Sequence, residues 1–127
     1  MPANPSAAPT CVALTAAGVS LVLDLGGGRL PRVLHWGAEL PALTDADAVA
    51  LAESVAPVLA PSSIDEPSLV SLVPEHWTGW TGRPGLSGSR SGTAWSPRFT
   101  VTAADLDGTP VALAPGSTSN GPGTLRV

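Results

Sequence analysis

Hydrophobic and polar residues alternate along Val19-Ser20-Leu21-Val22-Leu23-Asp24, with Val19, Leu21 and Leu23 on one side and Ser20 and Asp24 on the other. A period of two marks a half-buried strand, because successive side chains of an extended chain point to opposite faces. Val12-Ala13-Leu14 predicts a shorter strand before it, joined through a turn at Ala17-Gly18. Arg32-Val33-Leu34-His35-Trp36 predicts a third strand, in which Leu34 and Trp36 are expected to share a face. Pro31 stands at its start, where no ladder hydrogen bond is lost. The intervening Gly26-Gly27-Gly28-Arg29 has no helix pattern after it and no Gly-Lys-Ser/Thr, so it reads as a hairpin turn needing positive φ, not as a phosphate loop.

The period changes between Thr44 and Ala56. Ala48, Leu51, Ala52 and Val55 fall at helical spacing, Pro57 stops the run, and Thr44 with Asp47 forms a capping-box pattern in which Asp replaces the usual Glu. This predicts a short surface helix with a narrow, Ala-rich apolar stripe. Residues 68–73 predict another short strand, and Pro74 to Pro97 reads as a loop punctuated by Gly and carrying three of the four Trp. Strict alternation over Arg98–Thr102 predicts a strand with Phe99 and Val101 inward. Asp107-Gly108 is a hairpin turn into Val111-Ala112-Leu113, residues 114–123 read as loop, and 124–127 begins a last strand. The expected fold is all-β: a partial β-supersandwich of short antiparallel strands with one short surface helix. Residues 1–11 are expected to be a flexible lead-in and 12–127 an amino-terminal sandwich domain truncated at its carboxy end.

Composition adds constraints to that outline. Gly and Pro number 14 each, which favours turns over long helices, and with one Phe and no Tyr the four Trp carry the aromatic bulk. The core is therefore thin, and missing strands or a partner domain are expected to complete it. The net charge is −4, all six basic residues are Arg, and no basic stripe exists to serve nucleic acid. A lone Cys11 offers neither an internal disulfide nor, without a Cys/His cluster, a zinc framework, so no metal and no cofactor are expected. No apolar run reaches the ~18 residues of a membrane span. The opening Met1-Pro2-Ala3-Asn4-Pro5 lacks the positive and apolar regions of a signal peptide, so a cytoplasmic location is expected.

The acids available for catalysis are Glu39, Asp45, Asp47, Glu53, Asp65, Glu66 and Glu75. Asp45 and Asp47 read as first-turn helix acids, and Asp65-Glu66 before Pro67 reads as a turn pair. His35 and His76 have no Cys nearby, and no Gly-x-Ser-x-Gly elbow is present. Informative chemistry is concentrated between Pro74 and Phe99. There Trp77, Trp80 and Trp95 stand among glycines with Arg83, Arg90 and Glu75 close in sequence. Aromatic faces beside Arg and Glu suit the flat C–H faces and hydroxyls of a sugar. The same Trp residues could equally plug gaps in a Phe-poor sandwich.

Three stretches carry a family resemblance in order: Ala17–Asp24, Leu30–Leu40 with its His35-Trp36-Gly37, and Pro74 through Val101. Together, over roughly residues 12–113, they resemble the opening of actinobacterial-type glycoside hydrolase family 36 alpha-galactosidases. The resemblance implies an amino-terminal β-supersandwich followed by a (β/α)₈ barrel and a small carboxy-terminal β domain. It also implies a parent that hydrolyses terminal α-D-galactosyl residues with retention, through two aspartates on the barrel. A barrel needs about 250 residues, so no catalytic residue carries over to this chain, and the 127 residues are expected to be inactive alone. In the family, sandwich loops approach the active site of a neighbouring subunit. The matching rim positions are Asp65 in a first loop and Trp77, Trp80, Arg83 and Arg90 in a second. The better-known family form has Tyr-Pro-x-Tyr-Gly followed by Asp-Phe-Arg, where this chain has His76-Trp77-Thr78-Gly79-Trp80 and no matching Asp.

The expected role is that of an accessory domain that braces the barrel and supplies rim and oligomer contacts. Its expected partners are α-galactoside substrates through the parent enzyme and the missing catalytic barrel or a neighbouring subunit, with no nucleic acid and no membrane. Two other readings stay open. One is a stand-alone carbohydrate-binding sandwich using the Trp77–Trp95 loop; the other is a structural domain with no ligand.

Overall fold

A computed structural model describes residues 8–58, 61 and 70–127. Three consecutive strands, β1 (Cys11–Ala16), β2 (Val19–Asp24) and β3 (Arg32–Ala38), form an antiparallel meander. Ala17 and Gly18 both have positive φ (50° and 78°), the geometry of a two-residue hairpin whose twist matches its strands. Gly27 and Gly28 also have positive φ (73° and 62°), so the glycine run turns the chain as expected. The fold begins before residue 12. Pro9, Thr10 and Cys11 are buried, and Asp24 ties this entry to the β2 end by accepting the N–H groups of Thr10 (3.1 Å) and Gly26 (2.9 Å). Arg32 closes the same corner with an ion pair to Asp24 at 3.2 Å.

The helix α1 (Asp45–Ser54) follows, with the capping box realised. The Thr44 hydroxyl accepts the Asp47 N–H at 3.2 Å while the Asp47 carboxylate accepts the Thr44 N–H at 2.9 Å. Ala48 is the buried residue of α1, and it packs with Cys11, Ala13, Val22 and Leu34 on one face of the meander. On the other face lie Val12, Leu23, Leu25 and Ala104, flanked by Val111, Leu113 and Leu125.

Those last residues come from the second layer: β4 (Asp105–Leu106), β5 (Thr109–Pro110) and, after an excursion, β7 (Leu125–Arg126), in the order β5-β4-β7. Asp107-Gly108 forms the β4–β5 hairpin with φ of 50° and 81°. Between β5 and β7 the chain returns to the first sheet as β6 (Thr118–Gly121), giving the order β3-β2-β1-β6. The fold is therefore all-β with one helix, antiparallel except where β6 runs parallel to β1.

Five local expectations need correction. Leu34 and Trp36 do not share a face. The β2–β3 register passes from Val22↔His35 to Leu23↔Val33, so Leu34 is the extra residue of a bulge. Leu34 then points into the helix-side core at 5% exposure, while Trp36, opposite Leu21, lies on the other face at 76% exposure. Residues 98–102 form no strand: the Phe99 N–H bonds to the carboxylate of Glu75 instead of a neighbouring chain, and Phe99 is 44% exposed. Past β5, residues 111–113 are irregular, held by a bond from the Val111 N–H to the Ala104 carbonyl and one from the Ser117 hydroxyl to the Ala112 carbonyl. Residues 114–123, expected to be loop, contain β6, which has no apolar alternation and owes its extended form to pairing with β1. Of the strand expected over 68–73, residues 70–73 are irregular and the remainder lies outside the described residues.

Candidate functional site: the Trp-rich loop

The loop from Pro74 to Phe99 is built around a buried carboxylate. Glu75 is 1% exposed, and its two oxygens accept different donors: Oε2 takes the Trp77 indole N–H and Oε1 takes the Phe99 backbone N–H, each at 2.9 Å. A buried charge is tolerable when hydrogen bonds replace its water. The Glu75 backbone and the residues after it make a single 3₁₀ turn over His76–Thr78, which ends where Gly79 adopts a left-handed conformation with φ of 89°. Glycine meets that geometry without the steric cost of a Cβ.

Trp77 is half-buried at the centre of this arrangement. The Arg98 guanidinium lies 4.3 Å from its ring centroid and that of Arg29 lies 5.6 Å away, both within cation–π range. Arg29 comes from the glycine turn between β2 and β3, and a bond from the Leu72 N–H to the Pro31 carbonyl at 2.7 Å ties the loop entry to the same corner. The root of the loop is thus pinned to the meander by aromatic, cationic and backbone contacts.

Further out, the Trp80 indole donates to the Arg83 carbonyl at 3.1 Å and His76 Nε2 donates to the Gly82 carbonyl at 3.2 Å. Those bonds curl residues 76–83 back on themselves. Gly82 allows the approach, since a Cβ there would stand 2.8 Å from the Trp80 ring. A second small turn forms where Arg90 and Thr93 exchange backbone bonds at 2.7 and 2.9 Å. Between the two turns opens a cleft of about 460 Å³ lined mainly by His76, Pro84, Leu86, Ser87, Ser89 and Trp95. The Trp95 ring is 72% exposed on its wall.

The positions expected at a substrate rim are therefore distributed unevenly. Asp65 lies outside the described residues. Trp77 is committed to Glu75, Arg98 and Arg29 at the loop root. Trp80 and Arg83 meet through the indole–carbonyl bond, and Arg90 sits exposed on the other turn. Glu75, one of the seven candidate acids, is the residue that organises the loop; its sequence signal is an acid between Pro74 and His76-Trp77 just before a Gly-rich run. Among the described residues, no group of three or more His, Cys, Asp or Glu side chains could hold a metal ion.

Comparison with protein families places this architecture. The model of the glycosyl hydrolase family 36 N-terminal domain matches residues 29–125. The chain belongs to that family. Comparison with curated proteins and with solved structures gives no significant match. The stretch matched to the family 36 N-terminal domain runs from Arg29, which sits over Trp77, through β3, α1 and the Trp-rich loop to Leu125 in β7. Every contact that pins the loop root, from Arg29 to Phe99, thus falls inside the family's own segment of the chain.

Proposed function

We propose that this chain is the amino-terminal accessory portion of an alpha-galactosidase whose barrel hydrolyses terminal α-D-galactosyl residues with retention. In this reading it braces the barrel, contributes oligomer contacts and presents the Trp-rich loop at the substrate rim, and it has no activity alone. The observation that carries the reading is the family 36 N-terminal domain match over residues 29–125. Retaining hydrolysis requires two carboxyl groups about 5–5.5 Å apart. The most buried of the described acids, Glu75, is instead engaged by two N–H donors of its own loop.

A bracing role is also supported by apolar surface left open on the sandwich face. Leu14, Ala16, Val19 and Leu21 line a shallow groove of about 150 Å³, and Trp36 projects beside it, opposite Leu21. Contiguous apolar surface rimmed by polar residues is the usual mark of a protein contact. The reading includes a cytoplasmic address; among the described residues no helix is long and apolar enough to cross a membrane.

The test is an assay of the purified chain with a chromogenic α-galactoside, alone and after addition of a family 36 catalytic barrel. The expected result is no galactose release by the chain alone and a stable complex with the barrel by sedimentation. Galactose release by the chain alone, free of contaminating enzyme, would overturn the reading.

A further inference from the structure

The cleft between the two turns of the Trp-rich loop has the chemistry of a sugar contact, at residues other than those the family resemblance singled out. Its wall is the exposed indole of Trp95, backed by the rings of Pro84 and Pro97. Ser87 and Ser89 bring hydroxyls to the rim, each able to donate and to accept. His76 adds an imidazole to the lining, with its Nε2 bonded to the Gly82 carbonyl and Nδ1 as a second polar ring atom. Among the described residues, no Asp, Glu, Lys or Arg lines the cleft, so none of them favours a phosphate, a carboxylate or a cation. A volume of about 460 Å³ falls inside the ~300–1,000 Å³ of small-molecule sites. A neutral ligand with one flat apolar face and a hydroxyl edge matches all of these features together.

We infer that this cleft binds a pyranoside, with the Trp95 ring stacked on the sugar's C–H face and Ser87, Ser89 and His76 hydrogen-bonded to its hydroxyls. Trp77, whose indole N–H is held by Glu75 and whose ring is met by Arg98 and Arg29, is a structural anchor for that site and not a second platform. The choice of a galactoside as probe rests on the accessory reading above; the neutral, aromatic-walled cleft does not.

Trp36 provides an internal control, because its 76% exposure is close to the 72% of Trp95 but it stands on the open sandwich face and does not line the cleft. In an amide correlation spectrum of the ¹⁵N-labelled chain each of the four Trp gives one indole signal, and Trp95→Phe and Trp36→Phe assign two of them by deletion. Addition of methyl α-D-galactopyranoside or melibiose is expected to shift the Trp95 signal saturably and leave the Trp36 signal in place. Ser87→Ala, which spares the stacking wall and the His76–Gly82 bond, is expected to weaken binding at least fivefold with the spectrum otherwise unchanged. A Trp95 signal that does not move, or equal and unsaturable shifts at Trp36 and Trp95, would overturn the assignment. Galactose release measured on the same sample reports separately on the accessory reading, so the two can fail independently.

Discussion

Glu75 and Phe99 stand 24 residues apart and are joined by a single bond, in which the buried carboxylate accepts the Phe99 backbone N–H at 2.9 Å. That bond closes the Trp-rich loop at its base, and the second carboxylate oxygen fixes Trp77 above it. Glu75→Ala would leave the Trp77 indole and Phe99 backbone N–H groups without their carboxylate partner, at ~1–3 kcal/mol for a donor that water does not reach and less for one it does. A loss of about 2–4 kcal/mol is expected in denaturant unfolding, together with a red shift of Trp fluorescence as Trp77 is released. Glu75→Gln, which keeps one carbonyl acceptor, is expected to lose less.

Trp36 tests whether the open sandwich face is sticky. Its ring is 76% exposed and packs on little, so Trp36→Ser is expected to change unfolding stability by less than ~0.5 kcal/mol. The same substitution removes the largest apolar projection beside the Leu14–Leu21 groove. Self-association in sedimentation is therefore expected to fall. Unchanged association would mean that the face plays no part in protein contacts.

Cys11 is sealed between the meander and α1, and burial, with Asp24 nearby adding to it, pushes its thiol up to about 12 from 9.0 while Arg32 partly opposes the rise. Between those two values the folded chain holds a proton that the unfolded chain has released. Stability from this group is therefore complete below about pH 9 and declines as pH rises toward 12, with a slope of at most ~1.4 kcal/mol per pH unit. Cys11→Ser is expected to flatten that decline. Thiol reagents at pH 8 are expected to label the native chain only at the rate of its unfolding.

The capping box is open to a simpler test. Thr44→Ala removes the hydroxyl that accepts the Asp47 N–H, and a cost of about 1 kcal/mol is expected. Thr44 also lowers the Asp47 carboxyl below 3.8, first through its hydroxyl and then through its backbone N–H. The helix support from this carboxylate is thus present above pH 3.8 and lost as pH falls through the lower folded value. A titration of Asp47 by NMR is expected to move back toward 3.8 in Thr44→Ala.

Local chemistry was the legible part of this chain. Ala17-Gly18 and Asp107-Gly108 were readable as hairpin turns because residues that tolerate positive φ are few. Val19–Asp24 was readable as a strand because its period of two survives intact, and Thr44 with Asp47 because capping is decided within four residues. At the site, the Trp-rich loop was legible as a unit, but which Trp serves as anchor was not. Trp77 and Trp95 are both aromatic residues near glycines in the sequence. Only the approach of Glu75, Arg29 and Arg98 engages the first and leaves the second bare.

Features that depend on distant partners were invisible in the pattern. The extended form of β6 comes from backbone bonds to β1 and from Asn120, whose side-chain amide pairs with the Leu43 backbone in both directions at 2.9 Å across 77 residues. The bulge at Leu34 reverses the face of Trp36 because one extra residue in a ladder shifts all that follow, and no local signal marks where it falls. The sequence alone determined the turns, the helix cap, the all-β character and the family. Tertiary structure decided which faces are covered, which carboxylate is buried and which indole remains free. The division is physical: propensity and capping act over a few bonds along the chain, whereas burial and register are properties of surfaces that exist only once the strands have met.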